Sequence, residues 1–122
     1  MRSSPLTRLR RLCLALPEAH EVTAWGEPTF RVRNKIFAMY ASPDTHHGAG
    51  RAGVWMNSTP INQQLLVAAD PVRYFAPPYV GGKGWLGVVL DDDPDWPSLE
   101  DLLRDAWRLT APKRLAASLP GD

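Results

Sequence analysis

At 122 residues with a formal net charge of +1, the chain has room for one domain and one core, and its near-neutrality falls short of the strongly basic stripe of a typical nucleic-acid binder. Charged residues at 22% and hydrophobic residues at 44% exclude a disordered or fibrous protein. The single cysteine, Cys13, excludes an internal disulfide and points to a reducing cytoplasm, and no Cys/His set has zinc-finger spacing.

The N-terminal stretch resembles a signal peptide only superficially, because Arg8, Arg10 and Arg11 leave Leu12 to Leu16 as the apolar run. It reads instead as a helix. Ser4-Pro5 supplies a capping serine with proline at the first helical position, and Leu6, Leu9, Leu12, Cys13 and Leu16 recur at helical spacing until Pro17. Cys13 lies on that apolar stripe and reads as a small buried hydrophobe. Nothing in the chain reads as a membrane span.

Glu21 to Trp25 alternates as a short strand that Gly26 ends. A hairpin follows: Thr29 to Val32 and Lys35 to Tyr40 flank Arg33-Asn34, and Asn tolerates the positive φ of a tight turn. With Val32 opposite Lys35, Phe30 should face Phe37 and share the core face with Val32 and Met39. Arg31, Arg33 and Lys35 then make a basic tip.

Ser42 to Arg51 has no periodicity and predicts a mobile loop in which His46 and His47 are solvated rather than metal ligands. Gly53 to Asn57 is the next strand. Thr59-Pro60 starts a short helix to about Ala68, with Ile61, Leu65 and Ala68 inward, and Asp70-Pro71 closes it. Phe75 to Tyr79 is stiffened by proline. Gly81, Gly82 and Gly84 precede a buried strand, Trp85 to Leu90, and not a helix, so they mark a bulge or close backbone approach and not a phosphate loop. Asp91 to Asp95 reads as a solvated acidic turn without calcium-loop spacing. Ser98 should cap the last helix, whose stripe is Leu99, Leu102, Leu103, Ala106 and Trp107, with Thr110-Ala111-Pro112 breaking it and a frayed tail from Ser118.

Helix, strand, hairpin, strand, short helix, strand, helix describes one α+β domain over residues 1–122. It is a two-layer sandwich in which the first and last helices cover one face of an antiparallel sheet. The sequence resembles the MmcQ/YjbR-like proteins of bacteria. The marks are the helix ending Leu14-Ala-Leu-Pro-Glu18, the Phe30-Arg-Val-Arg-Asn-Lys-Ile-Phe37 hairpin, Pro78-Tyr-Val-Gly-Gly-Lys-Gly-Trp85, and Asp105-Ala-Trp-Arg-Leu-Thr-Ala-Pro-Lys-Arg114. That resemblance implies a frataxin-like (CyaY-like) sandwich and a double-wing arrangement for DNA binding. Where the family often has Gly-Gly at the hairpin turn, Arg33-Asn34 stands here.

Charge is segregated along the chain. From Arg31 to Lys83 six basic residues face two acids, whereas Asp91 to Asp105 holds seven acids and Arg104 alone. Taken with the resemblance, this makes DNA the candidate partner, with Arg31, Arg33, Lys35, Arg51 and Lys83 on phosphates. The alternative is a groove for a small molecule or protein, with Tyr79, Trp85 and Trp55 as candidate stacking residues on an open sheet face; Trp25 is a further ring that such a face would recruit. No catalytic motif is present, so the chain reads as a non-enzymatic, cofactor-free cytoplasmic monomer.

Overall fold

The computed structural model describes residues 4–91 and 93–119; Asp92 of the acidic turn and the end of the tail, 120–122, lie outside the described residues, as does the segment 1–3. Six strands form one sheet: β1 (Ala19–Ala24), β2 (Glu27–Val32), β3 (Lys35–Ala41), β4 (Gly53–Met56), β5 (Tyr74–Phe75) and β6 (Leu86–Val89). Their spatial order is β1-β2-β3-β4-β6-β5, every pair antiparallel. The helices are α1 (Pro5–Leu14), α2 (Pro60–Ala69), α3 (Trp96–Thr110) and the short α4 (Lys113–Ala117). Strand β5 and helix α4 have no counterpart in the sequence reading, since two residues and five residues carry no periodicity.

The core lies between one sheet face and helices α1 and α3. Leu9 and Cys13 from α1 and Leu99, Leu103, Ala106 and Trp107 from α3 pack against Phe30, Val32, Phe37, Val54, Met56, Leu86 and Val88. Full burial of each large side chain is worth about 1.5–3 kcal/mol, and Trp107 also anchors the layers by donating Nε1–H to Pro17 O at 3.0 Å. Desolvation pushes the Cys13 thiol well above its ordinary value, so it stays protonated and packs as a hydrophobe.

Several local expectations are corrected. Asp95, not Ser98, is the N-cap of α3: its carboxylate accepts the Ser98 amide at 3.2 Å and the Ser98 hydroxyl at 3.0 Å, because Trp96 and Pro97 already have helical geometry. Helix α2 turns Ile61, Leu65 and Ala68 to solvent and packs Leu66 and Val67 inward. Its phase is set by Gln63, whose amide donates to Gly81 O and Trp85 O at 2.8 and 2.6 Å. Proline at its start meets Gly84, where a Cβ would sit 2.6 Å from the Pro60 ring, so the close approach expected of these glycines is present.

The central hairpin pairs Val32 with Lys35 and Arg31 with Ile36, then shifts register, so that Phe30 meets Ala38 and not Phe37. This β-bulge puts Phe37 and Ala38 both toward the helices and sends Met39 to the opposite face, where it clusters with Ala41 and Trp55. The positive φ of the turn falls on Arg33, at 55°.

Candidate functional site

Among the described residues, the second face of the sheet carries no long helix. It holds instead a groove of about 460 Å³ lined by Trp25, Ile36, Met39, His46, His47, Trp55, Tyr79, Val80 and Trp85. Tyr79, Trp85 and Trp55, widely separated in sequence, are thus brought together, and Trp25 joins them. Ile36 and Met39 reach the same groove although three residues apart in one strand, which strict alternation forbids and the bulge permits.

Two of the rings are held out on strained backbone. Trp25 and Gly26 form the two-residue β1–β2 turn with φ of 54° and 77°, both positive as a type I′ turn demands, and the Trp25 residue is 68% exposed. Tyr79, in the proline-rich segment before the 3₁₀ turn Gly81–Lys83, has φ 67° and is 78% exposed. A bulky residue in the left-handed region costs on the order of 1 kcal/mol or more. Such strain concentrates where a side chain must be aimed.

Behind the groove wall sits Glu27, only 1% exposed. Its Oε2 accepts the Ser42 amide at 2.9 Å and the Thr45 hydroxyl at 2.8 Å, and lies 3.3 Å from His47 Nδ1. The loop predicted to be mobile is therefore pinned to the first residue of β2. His47, expected to be solvated, has a side chain only 8% exposed, stacked on exposed His46 and meeting Trp55 edge to face at 5.7 Å between centroids. Tyr40's own partial burial first, and the negative charge of Glu27 second, push its hydroxyl above its ordinary range, with Asp91 and Asp44 adding to the effect. Sequence reasoning missed Glu27 and His47 because they are twenty residues apart and share no motif. Their one signal was an acid at the start of a β-rich run.

The basic candidates do not form one patch. Arg31 is half-buried and donates Nε–H to Thr29 Oγ1 at 3.1 Å, whereas Arg33 makes a two-point pair with Glu18 at 2.6 and 3.1 Å, which raises its pKa. Arg33 and Lys35 border a second groove of about 720 Å³ together with Arg108 and Lys113. Arg51 lies beyond Gly53 at the end of the sheet opposite Lys35, 3.8 Å from Asp91, and Lys83 sits in the 3₁₀ turn. No group of three or more metal-ligating side chains occurs among the described residues, nor does any described helix have the length and apolarity to cross a membrane.

An open antiparallel sheet, helices on one face and an aromatic groove on the other, defines a two-layer α+β sandwich. The chain belongs to the YjbR family, whose family model matches residues 14–109. The crystal structure of a Deinococcus radiodurans protein, DR2400, carrying a DUF419 domain, is similar in fold: its TM-score is 0.71 at 20% identity, over 88% of this chain and 81% of that one. No curated protein matches.

Proposed function

We propose that this protein binds a neutral, planar small molecule in the aromatic groove. The observation that carries the reading is the pair of exposed rings, Trp25 and Tyr79, held on left-handed backbone beside an apolar floor of Met39, Trp55 and Val80. The volume of about 460 Å³ lies within the range of ligand sites. The lining includes neither Lys nor Arg, which favours an uncharged ligand over a phosphate or carboxylate. It also holds no serine, cysteine or lysine nucleophile, in keeping with capture without turnover, and the lone, protonated Cys13 suits a cytoplasmic setting.

The test is titration with 1-methylindole, a flat ring lacking a hydrogen-bond donor, followed by the five tryptophan indole N–H resonances. Trp25, Trp55 and Trp85 should shift while core Trp107 does not, with little change on adding salt. No shift at the groove tryptophans with either 1-methylindole or indole would remove this reading.

Nucleic-acid contact is a second reading, favoured by the groove that Arg33 and Lys35 share with Arg108 and Lys113. Duplex and single-stranded DNA should then bind in a salt-sensitive way that an Arg31→Ala/Arg33→Ala/Lys35→Ala variant loses. Failure of the parent protein to bind at low salt would end that reading.

A further inference from the structure

The groove is mostly apolar, its polar side-chain atoms being the Tyr79 hydroxyl and the ring nitrogens of its tryptophans and histidines, of which Trp55 Nε1 is buried without a hydrogen-bond partner. His47 lines it, its side chain is more than nine-tenths buried, and Nε2 makes no hydrogen bond among the described residues. The other ring nitrogen, Nδ1, faces Glu27 Oε2 at 3.3 Å and Thr45 Oγ1 at 3.5 Å. The Thr45 hydroxyl already donates to the Glu27 carboxylate at 2.8 Å, so a proton on Nδ1 is what completes the arrangement. A proton on Nδ1, 3.3 Å from the carboxylate, leaves Nε2 as an acceptor. The same device orients histidines elsewhere, when a carboxylate fixes the tautomer and leaves the far nitrogen for its partner.

We infer that the ligand is a planar aromatic molecule carrying a ring N–H or hydroxyl, which donates to His47 Nε2 while its ring lies among Trp25, Trp55, Tyr79 and Trp85. This rests on the proposed groove reading and specifies the ligand's chemistry. Several features point the same way. An acceptor in an apolar wall discriminates strongly for a ligand that satisfies it, because an isostere without the donor leaves the nitrogen desolvated and unpaired. The loop carrying His47 is fixed at three points by Glu27, so the acceptor is placed before the ligand arrives. A free small molecule suits the volume of about 460 Å³.

Glu27 acts here as a positioning residue and His47 as the contact. Indole and 1-methylindole make the matched pair of probes, identical in ring and differing in the donor. Calorimetry on the parent protein and on His47→Phe should show the indole-to-methylindole affinity ratio falling about tenfold in the variant, the effect of one lost hydrogen bond. Nitrogen-15 shifts of His47 in the parent protein supply a readout independent of whether the variant folds. They should show the Nδ1–H tautomer, with the Nε2 signal moving when indole is added and not when 1-methylindole is added. Equal ratios in the two proteins, a proton resident on Nε2, or a still Nε2 signal would overturn the inference while leaving the groove intact. Absence of binding by both probes would overturn the inference and the groove reading together.

Discussion

At the scale of single residues, Glu27 matters most, since one buried carboxylate holds a ten-residue loop and orients His47. Replacing it with alanine leaves the Ser42 amide without its acceptor, leaves the Thr45 hydroxyl with Ser42 O alone, and removes the carboxylate beside His47 Nδ1. A loss of about 3 kcal/mol in urea unfolding is expected, with amide exchange speeding up across residues 42–51 before the rest of the sheet. Asp95 offers a pH test. Hydrogen bonds from Ser98, backbone first and hydroxyl second, hold its carboxyl below the usual carboxylate value. A depressed folded-state pKa stabilises above the unfolded value, near 4, and that stabilisation disappears as pH falls through the folded value. Asp95→Asn keeps a capping oxygen but does not titrate. The melting-temperature advantage of the parent over Asp95→Asn should therefore be present at pH 6 and shrink steadily below about pH 4. A third residue, Trp25, occupies a position that Asn-Gly turns fill without strain. Trp25→Asn should raise stability by about 1 kcal/mol while weakening 1-methylindole binding, and a variant that gained stability with unchanged binding would remove Trp25 from the site.

At the scale of elements, what could be read in advance followed from local chemistry. Ser4-Pro5 and Thr59-Pro60 both start helices as their capping geometry requires, and each hydroxyl accepts the expected amide. Thr59→Ala should cost about 1 kcal/mol. Helix α3 shows its inward stripe plainly because four of its five stripe residues are fully buried. Helix α2 could not be phased in the same way, for its apolar residues run round most of the cylinder. Only the reach of Gln63 to Gly81 and Trp85, across eighteen and twenty-two residues, decides which face turns in. The glycines that let this happen are equally non-local in their reason. Gly84→Ala should cost about 2 kcal/mol, because a left-handed residue at φ 90° would also press on Pro60, and thermal melts of that variant beside Gly82→Ala, where space is open, separate the two effects.

For the molecule as a whole, the division of labour between sheet faces was only half legible. The helix-covered face announced itself through periodicity in the flanking helices. The groove face is assembled from a turn, two interior strands, a histidine loop and a proline segment, so its members share no spacing. Tyr79, Trp55 and Trp85 were visible as candidates because aromatic residues are few; that they converge was not. The basic residues show the converse: a surplus along the chain from Arg31 to Lys83 becomes, in space, several separate places, with Arg33 already engaged by Glu18. The bulge between Phe30 and Phe37 has a further bearing on how such a chain can diverge. It acts as a frame-setter for the sheet, in that every residue of β3 after it owes its side to one extra position. Substitutions can alter the groove without touching the core, and the reverse. Removing Ala38 would give a regular strand with Met39 still in the groove and Tyr40 still inward, whereas straightening the bulge with Ala38 in place would exchange the two inventories at once, sending Met39 inward and Tyr40 outward. Relatives should therefore vary freely in what lines the groove while keeping either this bulge or a regular strand one residue shorter.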